Sequence, residues 1–109
     1  MFKRQNRLPG GSRFNSSKSF TVAFFVLKVK ENNLGLNRFG IVVSKKIDKR
    51  AVVRNRIKRM LREIILNINS EMTSGHDMLF IVRKMIQNAE RDNIYFLIRK
   101  TLEQAKYIK

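Results

Sequence analysis

The sequence predicts an α/β chain in which one mixed sheet is covered by helices. Three observations lead there. Apolar residues alternate at a period of two in Phe20–Val29 and Arg38–Ser44 and run almost unbroken through Met78–Arg83. They recur at helical spacing from Ala51 to about Asn67 and again up to about Tyr107. The resulting order, strand, strand, helix, strand, helix, suits a sheet with helices packed on it.

Residues 1–13 read as a basic arm, with Lys3, Arg4, Arg7 and Arg13 around the Pro9-Gly10-Gly11 break, and residues 14–109 as a single domain. A short helix is allowed from Ser12 to Lys18, since the two glycines stop an earlier start. Phe20–Val29 is rich in Phe and Val, which favour strands. Phe25, Leu27 and Val29 share one face and Phe24, Val26 and Lys28 the other, so a hydrophobic groove on one side is compatible with the pattern. Asn32, Asn33 and Gly35 mark a turn, and the second strand follows, which reads as an antiparallel hairpin. Asp48 or Ser44 is the expected cap of the first long helix, and Asp92 or Asn93 of the last.

Charge narrows the function. The 109 residues carry 24 Lys plus Arg against 8 Asp plus Glu, a formal net charge of +16. A small folded domain repels itself at that charge, and a polyanionic partner is the usual compensation. Nucleic acid fits best; a membrane surface fits less well, because the charges do not oppose one strongly apolar surface helix. With no cysteine there is no disulfide or thiolate metal site. No apolar run approaches the ~20 residues of a membrane span, and no apolar signal region follows the basic N-terminus, so the expectation is a soluble, cytoplasmic protein.

The helix from Ala51 is the informative element. On a wheel, Val53, Ile57, Met60, Leu61, Ile64 and Ile68 gather in one sector. Arg54, Asn55, Lys58, Arg59 and Arg62 occupy the opposing sector, and Arg56 lies apart on the far flank. Like charges three or four residues apart, such as Arg54 with Lys58, destabilise a helix in water. A charge row without internal carboxylates suits phosphate, to which Arg offers a fork and Lys a point charge. Lys45, Lys46, Lys49 and Arg50 extend the positive surface before the helix. Phe14, Phe20, Phe24 and Phe25 are candidates for stacking on unpaired bases, while Phe39 and Phe80 read as core. His76, the only histidine, sits beside Gly75 in a turn, and the carboxylates are scattered, so no catalytic or metal residues are assigned.

The stretch Ile41-Val-Val-Ser-Lys-Lys-Ile-Asp-Lys-Arg-Ala-Val-Val-Arg-Asn-Arg-Ile-Lys-Arg-Met-Leu-Arg-Glu63 closely resembles the bacterial ribonuclease P protein family. The specific part is Arg54-Asn55-Arg56 with its basic continuation. Arg7-Leu8 followed by Phe14, and Asp77-Met-Leu-Phe-Ile-Val-Arg-Lys84, resemble other parts of the family pattern. The resemblance implies an α/β two-layer sandwich with a four-stranded mixed sheet, three helices and a left-handed crossover. It implies the protein subunit of an endoribonuclease whose catalytic RNA removes the 5′ leader of precursor tRNA with Mg²⁺ bound mainly by RNA, and no organic cofactor. The implied partners are that RNA and leader-bearing precursor tRNA, with no membrane and no obligate protein partner. It assigns Arg54, Asn55, Arg56, Lys58, Arg59 and Arg62, flanked by Lys45 and Lys46, to RNA contact, and Lys49 and Arg50 are read with them from their place just before the helix. It assigns Phe14 and Phe25 to a cleft for the leader, and Arg7 and Arg13 of the basic arm are read as the cations beside it. The segment between Phe14 and the next strand is shorter than is common in the family, which predicts a reduced first helix. The rival readings are a generic or ribosome-associated RNA-binding protein and a DNA-binding module.

Overall fold

The computed structural model describes residues 4–9, 14 and 17–109. Its strands are β1 (Lys18–Thr21), β2 (Phe25–Glu31), β3 (Arg38–Val42) and β4 (His76–Val82), and its helices α1 (Ala51–Asn69) and α2 (Arg91–Gln104). The sheet order is β1-β2-β4-β3. β1 pairs antiparallel with β2 and β2 with β4, whereas β3 runs parallel to β4 through the α1 crossover. A mixed four-stranded sheet packed against helices is thus the fold.

Two expectations are corrected by this topology. The single strand Phe20–Val29 is really two strands joined at Val22–Phe24. That turn contains no Gly, Pro, Asn or Asp and is held from outside: Arg83 N donates to Phe24 O at 2.8 Å and Arg83 Nη1 to Val22 O at 2.8 Å. Turn chemistry of this kind leaves no local trace. Nor do β2 and β3 form a hairpin, because β4 lies between them. β4 is apolar on both faces from Met78 to Val82, as a central strand must be, and so displaces the sequence neighbour. Asn32 shapes the connection over its end, accepting from Leu34 N at 2.9 Å, while Asn33 and Gly35 take positive φ of 58° and 71°.

The core lies on one face of the sheet. Phe25, Leu27, Val29, Phe39, Met78, Phe80 and Val82 are buried there under Ile57, Met60, Leu61, Ile64, Ile65 and Ile68 of α1 and Ile94, Ile98 and Leu102 of α2. Phe25 and Phe80 meet edge to face at 5.6 Å. Burying each such side chain contributes about 1.5–3 kcal/mol.

The helix ends differ from expectation. Neither Asp48 nor Ser44 caps α1: Arg50 is the N-cap, its side chain makes no capping bond, and Asp48 Oδ1 instead accepts from Arg50 N at 2.8 Å in the approach. A short 3-10 turn, Asn88–Glu90, leads into α2, whose N-cap is Glu90, so Asp92 falls in the first turn instead. The helix allowed at Ser12–Lys18 falls largely outside the described residues; Lys18 itself opens β1.

α2 ends before Tyr107 in a left-handed cap. Lys106 has φ 65°, Lys106 N donates to Glu103 O at 3.1 Å and Tyr107 N to Leu102 O at 2.8 Å. A side chain in this conformation costs about 1 kcal/mol that glycine avoids. Lys106→Gly is therefore expected to raise stability by up to about 1 kcal/mol, less the entropy that glycine loses. A urea unfolding curve with an unchanged or lower midpoint would contradict this reading of the cap.

Candidate RNA interface

A polar knot fixes the end of the sheet from which β3 and β4 both start. The Asp77 side chain, 1% exposed, accepts from Arg38 Nε at 2.8 Å, Arg38 Nη2 at 2.7 Å and Asn32 Nδ2 at 2.9 Å. Burial pushes its carboxyl up, but the hydrogen bonds from Arg38 and Asn32 and the charges of Arg38 and Lys30 outweigh that and hold it below the usual carboxylate range. Beside it, the buried Asn37 donates to Thr73 O at 3.0 Å and accepts from His76 N at 3.0 Å. The knot aligns β2, β3 and β4.

The sheet face away from the helices is only partly covered among the described residues. The register places Val26, Ile81 and Val42 in one row, Lys28, Leu79 and Gly40 in the next, and Lys30, Asp77 and Arg38 in the third. Apart from Asp77, these residues are half-buried or exposed. The N-terminal segment adds to this face. Lys30 Nζ stands 4.8 Å over the Phe14 ring, and Leu8 and Leu79 both come close over Gly40. The result is an apolar trough flanked by lysines. Lys84 Nζ over Phe24 at 4.5 Å continues the alternation of cation and ring at its far end.

α1 carries its cations at the β3 edge. Lys58 and Arg62 line a concavity of about 420 Å³ with Arg7, Leu8, Gly40 and Ile41. Arg59 is exposed on the same helix, and Lys45, Lys46 and Lys49 are exposed just before it. Among the described residues none of these cations has a carboxylate within ion-pair distance. The carboxylates serve other arginines: Glu63 pairs with Arg91, Glu71 and Glu103 with Arg99, Asp48 with Arg50. The Arg50 guanidinium, bonded to Asp48, holds that carboxyl at about 2. The first turn of α1 also contains no acidic residue, so nothing acidic offsets its N-terminal dipole there.

Not every expected contact residue belongs to this surface. Arg54 is committed to the entry loop, with Nη1 donating to Asp48 O at 3.0 Å and Lys49 O at 2.8 Å. Arg56 pins α1 to the approach to α2, with Nη1 donating to Asn88 Oδ1 at 2.6 Å and Nη2 to Ile86 O at 3.0 Å. Asn55 is exposed. Phe25 is corrected outright: it is 1% exposed on the helix side of the sheet and offers no surface for stacking. Arg7 joins the α1 cations, and Arg13 lies outside the described residues. His76 is half-buried at the start of β4, meeting Tyr107 edge-on at 4.9 Å, and not simply a surface turn residue. Lys30, Leu79, Ile81 and Val42 carry no motif of their own, and the signal for them is the alternation of Lys28 and Lys30 with Leu27 and Val29.

Among the described residues no three His, Cys, Asp or Glu side chains gather as a metal site, and no helix is long and apolar enough to cross a membrane. What the two surfaces can do is bind: a cationic helix face for phosphates, and a trough with lysine rims for an extended chain of bases.

Comparison with known proteins identifies the chain's relatives. The family model described as Ribonuclease P matches residues 2–106. The Ribonuclease P protein component of a Thermoanaerobacter species is 39% identical over 89 residues, covering 82% of this chain and 76% of that protein. The corresponding component of Clostridium botulinum is 33% identical over 93 residues, covering 84% and 83%. The solved RNase P protein of Staphylococcus aureus superposes with a TM-score of 0.81 at 28% identity, covering 95% of this chain and 98% of that one. That of Thermotoga maritima gives 0.64 at 27% identity, covering 84% and 83%. With residues 2–106 matched by the family model, relatives up to 39% identical over four fifths of its length and a solved relative superposing at a TM-score of 0.81, this chain belongs to the ribonuclease P protein component family.

Proposed function

We propose that this chain, as the protein subunit that assists the catalytic RNA of ribonuclease P, offers its α1 cations to that RNA and the sheet face away from its helices to the 5′ leader of precursor tRNA. Cleavage is carried by the RNA subunit; the protein's part is binding and placement. The observation that carries the reading is the segregation of its charges. Lys58, Arg59 and Arg62 stand without carboxylate partners among the described residues, while carboxylates neutralise arginines elsewhere. Such a row is relieved by phosphates, and each phosphate bound also releases condensed counterions. The trough of Val26, Lys28, Leu79 and Ile81, with Phe14 under Lys30, suits a single strand whose bases stack while its phosphates meet lysines. On this reading Mg²⁺ is held by RNA oxygens, and the protein works in the cytoplasm, where precursor tRNA is its substrate.

Phe14→Ala is the test of the leader face. It is expected to weaken holoenzyme binding of precursor tRNA by about 1–3 kcal/mol, the usual worth of one stacked base, and to leave mature tRNA binding nearly unchanged. Affinities for both tRNAs and a melting curve decide it. Equal weakening of both tRNAs in a folded variant would remove Phe14 from the leader.

A further inference from the structure

The outer side of α2 belongs to neither RNA surface. Ile94, Ile98, Thr101 and Leu102 are its buried residues. Asp92, Phe96 and Lys100, each four residues from the next, are left exposed in one row. Phe96 is 68% exposed and is the only exposed aromatic side chain among the described residues. Tyr95 meets its ring edge-on at 6.1 Å and braces it from one side.

The charge around this row differs from that of the basic surfaces. Arg91 pairs with Glu63 at 2.9 Å, and Arg99 with Glu71 at 2.7 Å and Glu103 at 3.2 Å. The arginines of α2 are thus neutralised within the chain, and a phosphate finds little to hold here. What remains in the row is one carboxylate and one ammonium, on either side of the ring. Among the described residues neither Asp92 nor Lys100 has an ion-pair partner.

Such a row is complementary to itself in reverse. Residues four apart form a ridge on a helix, and two such ridges lie side by side when the helix axes cross at about −50°. Laid antiparallel on a second copy about a two-fold axis, Phe96 meets Phe96, Asp92 meets Lys100 and Lys100 meets Asp92. Each charge stands about 6 Å along the axis from the ring, so both ion pairs close when the rings touch. A parallel arrangement would set like charges together.

We propose that the outer face of α2 is a self-association surface whose occupant is a second copy of this chain, held antiparallel by Phe96 and two Asp92–Lys100 pairs. One helix crossing buries less than the roughly 1,200 Å² at which stable interfaces begin. Two copies of net charge +16 also repel. The dimer is therefore weak, and forms where salt screens the rest of the surface.

The experiment is sedimentation equilibrium of the full chain at up to about 1 mM protein in about 0.3 M salt, where the screening length is roughly 6 Å. The expected result is a monomer–dimer equilibrium that Phe96→Ala weakens about 10-fold or more. Asp92→Lys alone and Lys100→Asp alone should each leave a monomer, because each sets like charges against each other in both pairs. Mixing those two variants should restore association as a heterodimer, and the double variant Asp92→Lys/Lys100→Asp should restore the homodimer. A merely structural role for these exposed side chains would produce neither rescue, and circular dichroism checks the fold of each variant. An unmodified chain that stays monomeric throughout, a dimer undiminished by Phe96→Ala, or a mixture of the two charge variants that stays monomeric would overturn the proposal. Each outcome is independent of the RNA reading, whose surfaces contain none of the three residues.

Discussion

The double variant Lys58→Ala/Arg62→Ala is expected to lose roughly 10²- to 10⁴-fold in affinity for ribonuclease P RNA while keeping its fold. Each charge-assisted hydrogen bond lost costs about 1.5–3 kcal/mol, and the two residues sit one turn apart beside the same concavity. Both are half-buried, yet neither belongs to the core under the sheet, so no cavity opens. The loss should shrink as salt rises, since counterions already screen the contacts that remain. Replacing both by the opposite basic residue, Lys58→Arg/Arg62→Lys, conserves charge and tests geometry: where Arg62 makes a forked contact, Lys should not restore it fully. Circular dichroism alongside the titration separates binding from folding. Unchanged affinity in a folded double variant would return this face to ordinary solvated surface.

Asp77→Ala is expected to cost about 3 kcal/mol of folding stability. It leaves Arg38, whose side chain is 24% exposed, and Asn32 without their shared acceptor at the end of the sheet. The pH dependence carries a definite sign. Asp77 has its folded pKa depressed, so its contribution is fully present above the unfolded carboxylate value of about 4 and is lost as pH falls through the lower folded value. Urea midpoints for the unmodified chain and Asp77→Asn should therefore lie far apart near neutral pH and converge in strong acid. A gap that stays constant down to acid pH would remove the Asp77–Arg38 pair as the source of that stability. The two variants also dissociate the parts of the molecule: the partners of Asp77 are Arg38, Asn32 and Lys30 and not the α1 cations, so its loss should lower stability before it lowers RNA affinity.

The legible parts of the chain were those in which a periodic pattern met a single environment. α1 was readable because Ile57, Met60, Leu61, Ile64 and Ile68 face one core and Lys58, Arg59 and Arg62 face away from it. The core face of β2 was readable for the same reason. What stayed hidden depends on distant partners. The β1–β2 turn is closed by Arg83, about 60 residues further on, and not by turn-forming residues of its own. The place of β4 between β2 and β3 follows from its being apolar on both faces, a property that one strand read alone does not translate into neighbours. Within the basic motif, a helical wheel sets Arg56 apart but does not reveal that it anchors the approach to α2, nor that Arg54 is spent on the carbonyls of Asp48 and Lys49. Phe25 shows the reverse error. An aromatic residue assigned to a cleft by resemblance belongs, by the alternation of its own strand, to the core with Leu27 and Val29.

The most direct measurement is precursor tRNA cleavage in Mg²⁺ by the chain alone, by a bacterial ribonuclease P RNA alone, and by the two together, at physiological salt. The expected result is no leader removal by the protein alone and much faster cleavage by the pair than by the RNA alone, with the gain reduced for Lys58→Ala/Arg62→Ala. Leader removal by the RNA-free protein at the rate of the pair, or no gain when the folded protein joins the RNA, would contradict the assignment of this chain as the assisting subunit.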